Sequence, residues 1–201
     1  MNDITPPGFD ALFRHNEDPW GFRTRWYEAR KRAMTLACLP QARYASGFEP
    51  GCANGELTAQ LAVRCERLLA SDVSPRAVEL ARTRLAALPH VEVVQALLPD
   101  QWPRGRFDLV VISELGYFVD GPSLDAMAAH TLACLLPAAT VVACHWRRPI
   151  QGCAMDGDAV HARLAQGLQL PQLCEVREAD FVLNVWSSDP KSVAQREGFD
   201  W

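Results

Sequence analysis

Between residues 44 and 146 the chain alternates short apolar, β-branched runs with segments of helical character, and this alternation limits the fold more than any other feature. Strands are expected at 44–49, 67–71, 91–96, 107–113 and 140–145, with helices at 56–64, 75–88 and 123–136 between them. Ser74-Pro75 opens the second of these helices with the preferred cap and first residue. Strands separated by helices cannot turn back as hairpins, so they pair in parallel with crossovers. The run FDLVVIS at 107–113 is almost wholly apolar, which implies burial on both faces of a sheet covered by helices on both sides. The tail breaks the pattern. Runs at 173–178 and 180–186 have almost nothing between them and must pair antiparallel. The expectation is an α/β fold: five parallel strands followed by a terminal antiparallel hairpin.

The 201 residues suit one domain. Residues 1–19, polar and Pro-rich, read as a mobile arm, and 20–201 as the domain proper. A helix is expected over 20–39, stopped by Pro40, and an insert at 147–171 carries a further helix at 157–166. Lys+Arg number 20 against Asp+Glu 24, a net charge of −4, which argues against a general nucleic-acid binder. No apolar stretch reaches the length of a membrane helix, and the first ten residues do not read as a signal peptide. The seven cysteines are odd in number and never spaced C-x-x-C, so neither a disulfide framework nor a zinc site is expected, and reduced thiols point to the cytoplasm. His15, His90, His130 and His161 show no metal spacing.

The most informative segment is Glu49-Pro50-Gly51-Cys52-Ala53-Asn54-Gly55, where a strand ends, two glycines stand four apart and a helix begins. Glycine lets the backbone turn sharply and lets a ligand approach the main chain. A P-loop reading fails because Glu56-Leu57 follows Gly55 in place of Lys-Ser/Thr. A dinucleotide fingerprint lacks its third glycine, and Glu56 would set negative charge against a pyrophosphate. The remaining match is the acid-x-Gly-x-Gly-x-Gly turn that serves S-adenosylmethionine, with Ala53 at the middle glycine. That cofactor carries a sulfonium and an ammonium, which Glu49 would attract. The second strand then ends in Ser71-Asp72-Val73, with Asp72 placed 23 positions after Glu49, close to the spacing of a ribose-binding acid. A ligand-free tight turn and a helix-capping acid are the plain structural alternatives.

These segments resemble class I S-adenosylmethionine-dependent methyltransferases. Asp18-Pro19-Trp20, Trp26-Tyr27-Glu28 with Lys31, Phe48 to Cys52, Ser71 to Ala77 and Phe107 to Glu114 extend the resemblance to the NodS family of nodulation methyltransferases, over most of residues 18–146. The resemblance implies a single Rossmann-like methyltransferase domain with a seven-stranded, mostly parallel sheet of order 3-2-1-4-5-7-6. It implies that Glu49, Gly51 and Gly55, with Cys52 and Ala53 in the turn, hold the methionine end of the cofactor. Asp72, with Val73, would hold the ribose, Leu97 and Leu98 would border the adenine, and Ser113, Glu114 and Tyr117 would stand at the mouth of the site. Trp20 and Tyr27 are assigned to the cofactor side as covering aromatics, whereas Trp26 reads as part of an ordinary amphipathic helix with a solvated basic face. No metal ligands are assigned.

Methyl transfer from a sulfonium needs positioning and exclusion of water more than acid–base chemistry. Candidate groups stand at the C-terminal ends of the parallel strands. Glu114 is the candidate base, with a loop-ordering carboxylate as the alternative. His145 is the second candidate, against the commoner state of a buried imidazole bonded to its surroundings. Trp146, Tyr117 and His161 are placed on the substrate side. The expected acceptor is a small molecule, with the amine of an amino sugar or oligosaccharide favoured by the resemblance. O-methylation of a sugar or other metabolite and an inactive cofactor-binding scaffold remain open, and neither nucleic acid nor membrane is expected as a partner.

Overall fold

The computed structural model describes residues 5–199. Its sheet has seven strands in the order β3-β2-β1-β4-β5-β7-β6. They are β1 (Gly47–Pro50), β2 (Leu68–Asp72), β3 (Val91–Gln95), β4 (Phe107–Ser113), β5 (Leu135–Trp146), β6 (Gln172–Arg177) and β7 (Phe181–Ser187). The first five pair in parallel; β7 runs antiparallel to both β5 and β6, as the tight connection at the tail requires. The seven-stranded order implied by the resemblance to class I methyltransferases is the one present.

Helices α3 (Glu56–Leu61), α4 (Pro75–Leu85) and α5 (Gly121–Cys134) follow the parallel strands. Helix α2 (Trp26–Ala37) precedes β1, α6 (Gly157–Leu168) lies in the insert, and α7 (Val193–Arg196) is a single turn near the end. Strand β4 shows why its sequence is continuously apolar. Val110 and Ile112 face Leu124 and Met127 of α5 and Leu164 of α6, while Leu109 and Val111 face Leu61 and Leu39 on the other side. Each fully buried aliphatic side chain contributes roughly 1.5–3 kcal/mol.

Three boundaries differ from the sequence reading for local reasons. Helix α2 starts at Trp26, not at residue 20, because Asp18 accepts from the backbone N–H of Phe22 and Arg23 and folds residues 18–23 into turns. Strand β5 begins at Leu135, taking over residues expected in the preceding helix, since Leu135 pairs with Phe107. Residues 5–19 are not a loose arm. Helix α1 (Pro6–His15) is capped by the Thr5 hydroxyl, and the Asp10 carboxylate accepts from Ser74 Oγ and Arg76 N, both at 2.9 Å. Phe13 is buried against Ala77 and Leu80, and Phe9 meets Phe118 edge-on. Helix α1 therefore bridges the start of α4 and the loop after β4, across the C-terminal edge of the sheet.

Candidate active site

The turn after β1 is built by backbone that only certain residues tolerate. Gly51 and Gly55 have φ of +74° and +81°. A side chain on Gly51 would crowd Leu115 at 3.3 Å, and one on Gly55 would meet the Ala81 backbone at 3.2 Å. Ala53, standing where the middle glycine is expected, is itself left-handed at φ 50°. That conformation costs a non-glycine residue about 1–2 kcal/mol. Two strand-end groups hold the turn in place. Ser71 O accepts from Gly51 N and Cys52 N at 2.7 and 2.9 Å. Asp72 reaches into the bend: Oδ2 accepts from Ala53 N and Oδ1 from Ser74 N, each at 2.9 Å. Burial raises the Asp72 pKa, and the N–H groups of Ser74, Ala53 and Val73 oppose that rise.

Beside this turn lies a cavity of about 50 Å³ lined by Glu49, Gly51, Arg32, Glu28, Ser113 and Glu114, among others. Two charged side chains there are buried with unused hydrogen-bonding atoms. Glu49 is 2 % exposed, and its Oε2 has no partner. Burial, with Asp72 nearby adding repulsion, pushes its carboxyl up to about 8, which the Thr58 hydroxyl offsets only in part. Arg32 donates from one guanidinium nitrogen to Phe22 O at 2.8 Å, while its buried Nε has no partner. Phe22 closes one side of the cavity. Its segment is pinned by Asn54, whose amide donates to Glu17 O and Asp18 Oδ1. The Glu56 carboxylate, which argued against a phosphate at this helix start, is bound by Arg84 at 2.7 Å and Arg23 at 3.2 Å.

A second group of charges adjoins the first. Lys31 Nζ lies 3.0 Å from Glu28 and 2.8 Å from Glu114, and 5.0 Å from the centre of the Tyr27 ring. Burial disfavours the Lys31 charge, yet Glu114 and Glu28 outweigh it and hold its pKa above the ordinary lysine value. Burial likewise raises Glu28, against the pull of Lys31. Glu114 follows β4 in a left-handed conformation, φ 53°. Its Oε2 accepts from the Tyr117 hydroxyl and from Trp146 N. One ammonium thus sits between two carboxylates, leaving the trio one negative charge in excess.

His145 does not reach this cavity. It is fully buried, its Nε2 accepts from Gly116 N at 3.0 Å, and its Nδ1 lies 3.0 Å from His161 Nε2. The network fixes both tautomers: the His145 Nδ1 proton goes to His161, and the His161 Nδ1 proton goes to Asn184 Oδ1. Desolvation and the neighbouring imidazole lower the His145 pKa far below its usual range, and burial pushes His161 down to about 4. No ring nitrogen is left to take a proton from an acceptor, so the base role expected for His145 does not stand. His161, expected to face the substrate, is interior for the same reason.

The other expected residues divide. Ser113, Cys52 and Ala53 line the cavity with Glu49 and Gly51. Tyr117 is buried and bonded to Glu114. Trp146 is half-buried and packs edge-on against Tyr27, whose buried hydroxyl has no partner. Trp20 packs on Phe13 and Phe22 beneath α1, beside Ala53, outside the cavity wall. Val73 follows Asp72 and its carbonyl accepts from the Gln95 amide. Leu97 is 45 % exposed after β3, while Leu98 packs on the main core.

Sequence reasoning left Phe22 and Asn54 without a site role, took Glu28 only as part of a family pattern, and counted Lys31 and Arg32 in a basic cluster from which a cation could pair with the cofactor carboxylate, without singling out Arg32. The signal was present. Glu28, Lys31, Arg32 and Thr35 recur at helical spacing and are all buried, whereas Trp26 on another face is 76 % exposed. Helix α2 turns polar groups inward, so its basic residues are not all on the solvated face that an ordinary amphipathic helix would give.

Fold and site together define the class I methyltransferase fold, with a glycine turn and two buried acids at the ends of its first two strands. Within that class the chain belongs to the NodS family: the model of nodulation protein S (NodS) matches residues 10–174. Nodulation protein S of Sinorhizobium fredii is 31 % identical over 121 residues, covering 60 % of this chain and 56 % of that protein. The chain thus spans little more than half the length of that relative. The crystal structure of a candidate methyltransferase from Pseudomonas syringae is 53 % identical with a TM-score of 0.74, covering 81 % of this chain and 99 % of that one. The N-methyltransferase NodS of Bradyrhizobium japonicum WM9, in complex with S-adenosyl-L-homocysteine, superposes with a TM-score of 0.80 over 94 % of this chain and 100 % of that one. At 23 % identity that likeness shows the fold.

Proposed function

We propose that this chain is an S-adenosylmethionine-dependent methyltransferase acting on an amine of a small molecule, with amino sugars as the favoured class. The observation that carries the cofactor reading is a pair of buried, unsatisfied, opposite groups on one cavity: Glu49 Oε2 and Arg32 Nε. An α-amino acid end presents an ammonium and a carboxylate, which complement them. A phosphate would meet Glu49 and gain nothing from it. Asp72 already anchors the turn through two backbone N–H groups and keeps lone pairs to accept from ribose hydroxyls. The residues therefore fit the group.

When bound, S-adenosylmethionine supplies a methyl carbon on a sulfonium, open to in-line displacement. Glu49 and Arg32 orient its amino-acid end and Asp72 its ribose. The carboxylates of the Glu28–Lys31–Glu114 trio offer hydrogen-bond acceptors to the N–H groups of a cationic methyl acceptor. Glu114 takes the acceptor's proton, held for that task by Tyr117, Trp146 and Lys31. The cavity of about 50 Å³ is far smaller than ligand pockets of roughly 300–1,000 Å³. Phe22 and the segment around Asp18 must therefore yield for a nucleoside to enter. No helix among the described residues is long and apolar enough to cross a membrane. The seven free thiols support a cytoplasmic site of action. The N-methylation reading rests on a relative, the B. japonicum N-methyltransferase, and the sugar class on the resemblance to the nodulation family to which the S. fredii protein belongs.

Calorimetry with S-adenosylhomocysteine tests the cofactor reading. Micromolar binding by the wild type and a loss of roughly 100-fold in Asp72→Ala and 10- to 100-fold in Arg32→Met are expected, from the 1.5–3 kcal/mol of a hydrogen bond to a charged group. Unchanged affinity in both variants refutes it. Transfer of labelled methyl to a panel of amino sugars and their N-acetyl forms tests the acceptor. Turnover confined to the free amines is expected, and methylation of the N-acetyl forms alone points to oxygen.

A further inference from the structure

Two of the seven cysteines meet where helix α2 ends against the outer strand of the sheet. Cys38 is the C-cap of α2, and Cys174 lies in β6, the edge strand, whose only neighbour in the sheet is β7. Their sulfurs are 3.7 Å apart, although the residues are 136 positions apart in the chain. Both are half-buried, and both pack against the apolar cluster that contains Leu39, Phe181 and Val185. No other pair of cysteine sulfurs among the described residues is in hydrogen-bond contact. Four of the remaining five, Cys52, Cys65, Cys134 and Cys144, are buried, and the fifth, Cys153, lies in the insert. A disulfide holds its sulfurs at about 2.05 Å, so closure asks for an approach of about 1.7 Å. The C-cap of a helix and the side chain of an edge strand can supply that without opening the core.

We propose that Cys38 and Cys174 are a redox modification site, a dithiol that a small disulfide such as oxidised glutathione converts to an intramolecular bridge. The chemistry proceeds by two exchanges. The thiolate of one cysteine attacks a glutathione sulfur; the glutathione S–S bond breaks, one glutathione thiolate leaves, and a mixed disulfide forms on the protein. The second cysteine, as its thiolate, attacks the protein sulfur of that mixed disulfide and expels the second glutathione thiolate. Two protein thiols are oxidised, one glutathione disulfide is reduced to two glutathiones, and the two protons lost by the protein end on them. The resident contact makes the second step intramolecular, which is why a bridge and not a lasting adduct results.

Burial, with Cys174 adding to it, pushes the Cys38 thiol up to about 11, so Cys38 is protonated at neutral pH and attacks faster as pH rises. In a reducing compartment such a bridge forms under oxidative load and is reversed by glutathione. Its place gives it a mechanical effect. Helix α2 carries Glu28, Lys31 and Arg32 on the cavity, and the bridge ties the far end of that helix to the sheet edge.

The test uses the full chain without ligand. Protein is incubated with oxidised glutathione from pH 7 to 9, alkylated with N-ethylmaleimide and mapped by peptide mass. The expected result is a cross-linked peptide pair joining Cys38 to Cys174, both sites lost to alkylation, and no glutathione left on either. The rate should rise with pH over this range. The thermal midpoint should be higher than that of the same sample reduced, because the bridge closes a long loop. In Cys38→Ser the other cysteine should keep its glutathione, and likewise in Cys174→Ser. Alkylatable thiols at both positions in the wild type, separate glutathione adducts on each, a cross-link to Cys153, or a bridge that lowers the midpoint would overturn the proposal. None of these readouts depends on the methyltransferase reading.

Discussion

Replacing Glu49 by glutamine should make the ligand-free protein more stable at pH 8 while weakening its hold on the cofactor. The reason is the cost of a carboxyl that burial pushes up to about 8 from an ordinary 4.5. A carboxyl with a raised folded pKa binds more protons folded than unfolded, so its contribution to stability is intact below pH 4.5 and is lost as pH rises through 8. At 1.36 kcal/mol per pH unit the full loss is about 5 kcal/mol. Glutamine keeps the shape and carries no charge to desolvate. The variant should match wild type near pH 4 and gain steadily until about pH 8. At roughly 2–4 °C per kcal/mol for a domain of this size, the gain in thermal midpoint is about 10 °C or more. Circular-dichroism melts of both proteins from pH 4 to 9 measure the difference, which cancels every titration they share. Binding provides the opposite sign. An incoming ammonium favours ionised Glu49, so wild type should release nearly one proton per S-adenosylhomocysteine at pH 7. Calorimetry in buffers of different ionisation enthalpy should show that release, and show it absent in the glutamine variant. A midpoint difference that does not change with pH, or a glutamine variant less stable at pH 8, would refute the buried unpaired carboxyl.

Ala53→Gly should raise stability by about 1 kcal/mol in urea unfolding, since it removes a side chain from a left-handed position; a loss would show that the Ala53 methyl packs usefully. His161, held down to about 4 against an ordinary 6.5, withholds a proton that the unfolded chain takes up. Its contribution is therefore intact above pH 6.5 and falls by about 3 kcal/mol as pH drops to 4; His161→Gln should flatten that acid limb in pH-dependent melts. His145→Ala should cost about 2–4 kcal/mol, by leaving Gly116 N–H and the His161 acceptor unpaired. Its effect on turnover should track the loosened loop after β4, appearing as a raised KM with the pH profile unchanged; a shifted acid limb would restore His145 as a base.

Which strands pair in parallel and which antiparallel was legible in the sequence from period and connection length, whereas their order in the sheet came from the family resemblance. A β-branched run such as 107–113 buried on both faces can only be an inner strand, and two runs joined tightly can only pair antiparallel. The glycine turn with Glu49 and Asp72 was legible because backbone freedom and charge type are local properties. The folded chain then set Asp72 Oδ2 on Ala53 N.

What tertiary structure alone decided is the direction in which polar groups point. His145 sits at a strand end where ligands bind, yet its ring turns inward to His161, fifteen residues past Trp146, a partner no local pattern names. Polar residues of α2 read locally as a solvated face became the cavity wall, because Glu114, Lys31's partner 83 positions away, arrives only when β4 enters the sheet. The same holds for residues 5–19, whose Phe13 and Asp10 are polar-arm residues until Ala77, Leu80 and Ser74 meet them. Local chemistry fixes which conformations a segment can adopt; the free energy of an ion pair or a buried ring depends on neighbours that only the completed fold brings near.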